Sequence, residues 1–235
     1  MAVEETFLGI ERCRNRKRIQ RHAHDRAYAA LVVRGGYFEA GDCGRRRVSE
    51  GDVLIHGRFE WHQNEFDDRG ADILNLPCRP DASGLSGRVR NPDFIVRLAE
   101  RDPFEAMAAV WEQLSPGPRA ADDWPDRLAR ALDQDTVPSL AQWAEFAGLR
   151  PASVSRGFAL AFGVSPQRFR ADRRASRAVV MIETSQEPLS SIAAELGFSD
   201  QAHMSREVGR LTGAPPTRWR LGYANYVQDE GPRPR

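Results

Sequence analysis

Ile192-Ala193-Ala194-Glu195-Leu196-Gly197-Phe198-Ser199-Asp200-Gln201-Ala202-His203-Met204-Ser205-Arg206, followed by Thr212-Gly213-Ala214-Pro215-Pro216-Thr217-Arg218-Trp219-Arg220, is the second writing of a pattern carried about fifty positions upstream. Leu140 to Arg170 and Leu189 to Arg220 correspond: Arg156 answers to Arg206, Phe158 to Val208, Gly163 to Gly213 and Pro166 to Pro216. Nearer the start of each copy the match is one residue closer, so Ala144 answers to Ala193 and Gly148 to Gly197. A pattern repeated at fixed period is one supersecondary unit used twice.

Each copy reads as a short helix, a glycine turn and a second helix, the grammar of a helix-turn-helix. In the first copy Ser139 and Gln142 form a capping box that opens a helix to Ala147. Gly148 then supplies the left-handed residue of a tight turn. The second helix starts at Pro151, where a missing amide costs nothing. Val154, Phe158 and Ala161/Phe162 line its inner face, while Ala152, Ser153, Ser155 and Arg156 face outward. In the second copy a helix covers about Ser190 to Leu196, Gly197-Phe198 turns the chain and Ser199 caps the next helix. Met204, Val208 and Leu211 form its inner face, and Gln201, Ala202, His203, Ser205 and Arg206 its outer one. Gln and Arg are the side chains that pair bidentately with adenine and guanine.

Between the copies a helix runs from Pro166 to about Thr184, with an apolar stripe (Phe169, Ala175, Ala178, Val179, Ile182) and a basic one (Arg170, Arg174, Arg177). About 19 residues at a rise of roughly 1.5 Å make a rod of roughly 28 Å. That length suits two groove readers set one DNA turn, about 34 Å, apart. Periodicity alone fits equally well a pair of helical hairpins that bind another protein.

Upstream, Ala27–Val33, Tyr37–Ala40, Arg45–Val48, Val53–Ile55, Phe59–Phe66 and Ala71–Leu76 read as short strands separated by breakers such as Arg34-Gly35-Gly36. That spacing predicts an antiparallel barrel or sandwich. Pro77 to Pro92 is rich in turns. Phe94, Leu98, Met107, Val110, Trp111 and Leu114 then fall at helical spacing with a break at Pro103, and Trp124, Leu128 and Leu132 mark another helix. Thr136-Val137-Pro138 reads as a linker. The expected architecture is α+β with two domains: a barrel over 1–90, a helical dimerisation or linker region over 91–136, an all-α domain over 137–222 and a flexible tail over 223–235.

The net charge of +1 conceals an uneven split, with 13 Arg against 9 acids from residue 139 onward and 21 basic against 24 acidic groups before it. A basic excess in the repeat half suits phosphate binding but does not demand it. The three cysteines, Cys13, Cys43 and Cys78, lie far apart and form no Cys-x-x-Cys pair, against a disulfide framework or zinc finger. With no signal-like start and no long apolar run, the sequence predicts a cytoplasmic protein that does not enter membranes.

The two quoted stretches, with Gly163-Val164-Ser165-Pro166-Gln167-Arg168-Phe169-Arg170 in the first copy, resemble the C-terminal signature of the AraC/XylS family of bacterial transcription regulators over roughly residues 138–222. The resemblance implies a sequence-specific DNA-binding regulator rather than an enzyme. Its two helix-turn-helix subdomains are joined by a linker helix, and its recognition helices enter adjacent major grooves. The base-facing positions it implies are Ala152, Ser155 and Arg156 in the first unit and Gln201, Ala202, His203 and Arg206 in the second, with Arg170, Arg174 and Arg177 as phosphate contacts. Partners implied are double-stranded DNA, a second copy of the chain and, for an activator, RNA polymerase. Met204 and Val208 stand where the family usually has aromatics, and Pro215 replaces the usual hydroxyl cap. Gly157, inside a recognition helix, costs about 1 kcal/mol relative to Ala, and nothing in the sequence explains it.

The N-terminal half is similar to the cupin barrels. His22-Ala23-His24 on a strand puts two imidazoles on one face, and Gly51-Asp52-Val53-Leu54-Ile55 with Gly57-Arg58-Phe59-Glu60-Trp61-His62 resembles the second cupin motif. In metal-binding cupins a His-x-His pair, a carboxylate and a later His hold one metal. Here the carboxylate's place holds Tyr28 or Ala29. His22, His24 and His62 remain able to hold a divalent metal such as zinc, iron or nickel, or serve as hydrogen-bonded pocket groups. The barrel resembles the effector-binding domain that commonly precedes the DNA-binding half in this family, with Tyr28, Tyr37 and Trp61 as pocket walls. Arg45-Arg46-Arg47 reads as a solvated run or an attraction for an anionic ligand. A cupin-type metalloenzyme or metal sensor fused to a helical domain is the rival reading.

Overall fold

Two long strands, not four short ones, organise the N-terminal half. In the computed structural model, which describes residues 3–4, 8–79, 84–117, 120–134 and 139–220, the chain forms two compact units, residues 1–166 and 167–235. In the first unit lie β1 (Val3–Glu4), β2 (Gly9–Cys13), β3 (Arg18–His24), β4 (Tyr28–Gly41), β5 (Gly44–Ser49), β6 (Asp52–His56), β7 (His62–Pro77), β8 (Ser86–Arg88) and β9 (Ser115–Pro116). β4 fuses two of the expected strands and β7 fuses two more. The glycine breakers do not end the strands because bulges absorb them: the β4–β7 register shifts between Val32 and Arg34 and between Gly35 and Tyr37.

The long strands each serve several partners. β4 pairs antiparallel with β5, β6 and β7, and β7 also takes β2 and β3. Only the two-residue β1–β3 pairing is parallel among the described strands. Because side chains alternate along a strand, β4 feeds two cores. Tyr28, Ala30 and Val32 join Cys13, Tyr37, Val48, Leu54, Phe66 and Ile73 on the inside of the curled sheet. Ala29 and Leu31 face the other way, into a core with Ile55, Leu74, Leu76 and the helices α1 (Pro92–Ala99) and α2 (Pro103–Gln113). Sequence patterning anticipated Met107 and Val110 on that buried face. It misplaced Phe94 and Trp111, which are exposed, because the face turned to the sheet is set by Ile95, Ala106 and Ala109.

Each of these helices, and α3 (Trp124–Asp133), begins with an Asn or Asp cap followed by proline: Asn91, Asp102 and Asp123. The side-chain oxygen accepts an orphan amide while the proline needs no partner. α4 (Leu140–Phe146) and α5 (Pro151–Phe162) complete this unit. The second unit holds nearly all of α6 (Pro166–Thr184), then α7 (Leu189–Glu195) and α8 (Gln201–Thr212), with residues 216–220 also helical. Its core contains every apolar residue expected of α6: Phe169, Ala175, Ala178, Val179 and Ile182 are all buried. The anticipated linker at 136–138 and the tail at 223–235 lie outside the described residues.

Candidate nucleic-acid interface and barrel cavity

The duplication read in the sequence recurs as backbone geometry. Gly148 after α4 and Gly197 after α7 have φ of 67° and 68°, and Gly163 after α5 and Gly213 after α8 have φ of 74° and 71°. These left-handed values, which a Cβ disfavours, set both the inter-helix turn and the C-terminal stop of each pair. Ser139 caps α4, accepting from the Gln142 amide at 3.2 Å. α8 is capped by Asp200 rather than Ser199: Asp200 Oδ1 accepts from the His203 amide at 2.6 Å. The carboxylate wins because a charged acceptor at a helix N-terminus also meets the positive end of the dipole. Ser199 Oγ instead lies 3.1 Å from His203 Nδ1.

Behind each candidate reading face is a dry apolar one. Val154, Phe158 and Phe162 on α5, and Met204, Val208 and Leu211 on α8, are all buried. Ala152 and Arg156 are exposed and Ser155 is half-buried; Gln201, Ala202 and Arg206 are exposed and His203 is half-buried. The short residues let a helix come close to base edges, and the Arg and Gln side chains reach beyond them. Arg170, Arg174 and Arg177 on α6 are all half-buried. Arg174 donates to the Gly197 carbonyl at 3.0 Å, bracing the α7–α8 turn.

A charge network that the sequence did not reveal stiffens the second unit. Asp172, fully buried on α6, accepts from Arg168 Nε at 3.0 Å and Arg210 Nη2 at 2.5 Å, and Glu207 accepts from the same two arginines. α8 is thereby tied to α6 by charged hydrogen bonds, the stronger kind.

Within the first unit α5 is held from two sides. Gln63 of β7 donates to the Ala161 carbonyl at 3.3 Å. Trp124 of α3 lies over Gly157, where a Cβ would come within 2.6 Å of its ring. That accounts for the glycine inside α5: it makes room for an indole. Gly157→Ala should therefore lower the melting temperature despite the better helix propensity of Ala, worth about 1 kcal/mol. A rise in melting temperature would show that the close approach is not needed.

Of Arg45-Arg46-Arg47 only Arg47 is solvated, its side chain 72% exposed. Arg45 grips the buried carboxylate of Asp126 on α3 through two bonds of 2.9 and 2.8 Å, Arg46 donates to the Cys43 carbonyl, and Arg47 pairs with Asp67.

The curled sheet encloses a cavity of about 370 Å³, lined by Tyr28 and Tyr37 and by His22, His24, His56 and His62 among others. Trp61 does not line it. It is 1% exposed and lies against the Arg21 guanidinium, 6.0 Å from the ring centroid. The three histidines expected to come together do so, with ring centroids 4.9, 4.3 and 5.5 Å apart. His56 and Glu39, which sequence reasoning passed over, join them. The His56 ring stacks on His62 at 4.5 Å and on Tyr28 at 4.9 Å. Two groups of three have donor atoms within 4.8 Å of one another: His22, His24 and His62, and Glu39, His56 and His62.

Charge in this cluster follows from burial and neighbours. Burial works against an imidazolium at His56, but the carboxylates of Glu39 and Glu60 outweigh it and raise its pKa. Burial together with the imidazoles of His56, His22 and His24 drives the pKa of His62 well down, which keeps that ring neutral. Tyr28 and Tyr37 are held protonated by burial and by the nearby Glu39.

Two short helix pairs, each with a glycine turn, a second helix stopped by a left-handed glycine, a buried apolar face and an exposed polar one, define a tandem helix-turn-helix protein. Residues 143–222 match the family described as "Helix-turn-helix domain". The chain is 28% identical over 176 residues to the arabinose operon regulatory protein of Escherichia coli (strain K12), covering 72% of this chain and 56% of that protein. It is 30% identical over 132 residues to the protein of the same name from Salmonella typhimurium, covering 54% of this chain and 45% of that protein. This C-terminal region carries an AraC-type helix-turn-helix domain. It spans about half the length of the curated relatives it matches. Among solved structures, ToxT from Vibrio cholerae bound to an unsaturated fatty acid is similar over 92% of this chain and 94% of its own, with 10% identity and a TM-score of 0.42. The DNA-binding domain of AdpA in complex with a target DNA is similar over 47% of this chain and 100% of its own, with 21% identity and a TM-score of 0.41.

Proposed function

We propose that this protein is a sequence-specific DNA-binding transcription regulator whose residues 137–222 read DNA and whose barrel cavity takes a small-molecule effector. The observation that carries the reading is the pair of helices, α5 and α8, each anchored by a buried apolar face and presenting short residues with one Arg outward. Anchoring matters because base readout needs side chains held in register with the groove edges. Ala152, Ser155 and Arg156 contact one segment of the site, and Gln201, Ala202, His203 and Arg206 the other. Arg170, Arg174 and Arg177 contribute phosphate attraction and hence salt dependence. The cavity falls within the size range of small-molecule sites, and its imidazole, phenol and amide lining suits a polar ligand.

Selection of binding sites from random duplexes by the purified full chain is expected to recover two half-sites about one helical turn apart. Absence of any enriched sequence would refute the reading. On the selected site, Arg206→Ala should cost about 1–3 kcal/mol and relax preference at one base step. Uniform weakening across all sequences would mean that Arg206 touches phosphate instead.

A further inference from the structure

Glu39, His56 and His62 come from three strands that the pairing register brings together. His56 on β6 sits opposite Tyr28 of β4, Glu39 on β4 opposite Asn64 of β7, and His62 of β7 opposite Gly41. All three are almost fully buried, with exposures of 5%, 3% and 3%. His56 Nε2 lies 3.5 Å from Glu39 Oε2, outside good hydrogen-bonding distance. Glu39 Oε2 and His62 Nδ1 are buried without a hydrogen-bond partner. Orphaned polar atoms so close together are costly, and native interiors avoid them unless an ion or water completes the group.

We propose that the barrel binds one divalent transition metal through Glu39, His56 and His62. Two imidazole nitrogens and one carboxylate oxygen form a donor set suited to zinc or ferrous iron, with positions left open toward the cavity. This set is not the one implied by the His-x-His pair. The alternative, His22, His24 and His62, supplies no negative charge to a buried dication. Glu39 supplies the charge that the place held by Tyr28 lacks. Glu60 stands behind His56, with Oε1 3.6 Å from Nδ1, and is itself fixed by the Gly57 amide at 2.9 Å and the Cys43 thiol at 3.1 Å. A carboxylate behind a ligating imidazole orients the ring and raises its basicity. Tetrahedral bonds of about 2.0–2.1 Å place two ligand atoms about 3.4 Å apart, so binding draws the three side chains inward from separations of up to 4.8 Å.

The test is titration of the EDTA-stripped full chain with zinc, using a chromophoric competitor, and with cobalt(II), using its visible absorption. One equivalent per chain is expected to bind. Glu39→Gln and His56→Gln should weaken binding by more than the roughly 10- to 100-fold that changes behind a ligand already cause. His24→Gln should leave the affinity nearly unchanged, and circular dichroism should report an unaltered fold for each variant. Substoichiometric binding by the unmodified chain would overturn the proposal. So would loss in His24→Gln with retention in Glu39→Gln and His56→Gln, or an equal loss in all three. Because the readout is metal binding alone, its failure leaves the DNA-binding reading untouched, and failure of site selection leaves this one untouched.

Discussion

Asp42→Ala is expected to destabilise the N-terminal unit by about 3–5 kcal/mol, the cost of removing one partner of a fully buried ion pair. The Arg21 and Asp42 side chains are 2% and 0% exposed and meet at 2.5 Å. The second carboxylate oxygen accepts from the Trp61 amide at 3.0 Å, so one aspartate fixes both the guanidinium and the chain just before His62. Truncation leaves a charge in a low-dielectric interior with its main counter-ion gone. A surface pair provides the contrast: Arg18 and Glu65 are 71% and 59% exposed, and losing such a pair costs about 0–1 kcal/mol. Urea denaturation of Asp42→Ala beside Arg18→Ala measures the difference. Equal shifts in the two midpoints would mean that the buried pair contributes no more than a solvated one.

Gly35→Ala should be at least as damaging, beyond about 4 kcal/mol, in the range where single substitutions abolish folding. Gly35 has φ +74°, and a Cβ there would stand 2.0 Å from the Gly70 carbonyl oxygen. The obstacle is backbone, so no side-chain rotation relieves it. Gly70 is under the same constraint, with φ +68° and the Cys13 carbonyl 2.3 Å from its missing Cβ. Gly213→Ala is the control: its φ is +71° but nothing lies within 4 Å, so it bears only the left-handed penalty of about 1–2 kcal/mol. If both variants melt alike, backbone conformation rather than the β2–β7–β4 close approach governs Gly35.

The same glycine shows where reading the sequence stops. Arg34-Gly35-Gly36 has the composition of a turn, and local propensity gives no reason to run a strand through it. The strand continues because β7 brings its own glycine, Gly70, to the same crossing, and both chains bend there without separating. Glu39 was hidden for a related reason. It follows Tyr37 by two positions on β4 and so shares its inward face, but only the bulge at Val32–Tyr37 settles which parity points inward. His56 follows the apolar run Val53-Leu54-Ile55 at the end of β6, and its polar side chain was a signal available beforehand. Gly157, unexplained along the chain, became intelligible once Trp124 was seen to lie on it.

The sequence by itself determined the helix-turn-helix pairs: their glycine turns, inner and outer faces and the 19-residue helix between them. Those features depend on neighbours within four residues, so helical periodicity and local backbone geometry fix them. Tertiary structure alone decided the barrel's interior. There, Glu39, His56 and His62 meet through hydrogen-bond register between strands distant in sequence, and a shift of one residue would turn each of them to the opposite face.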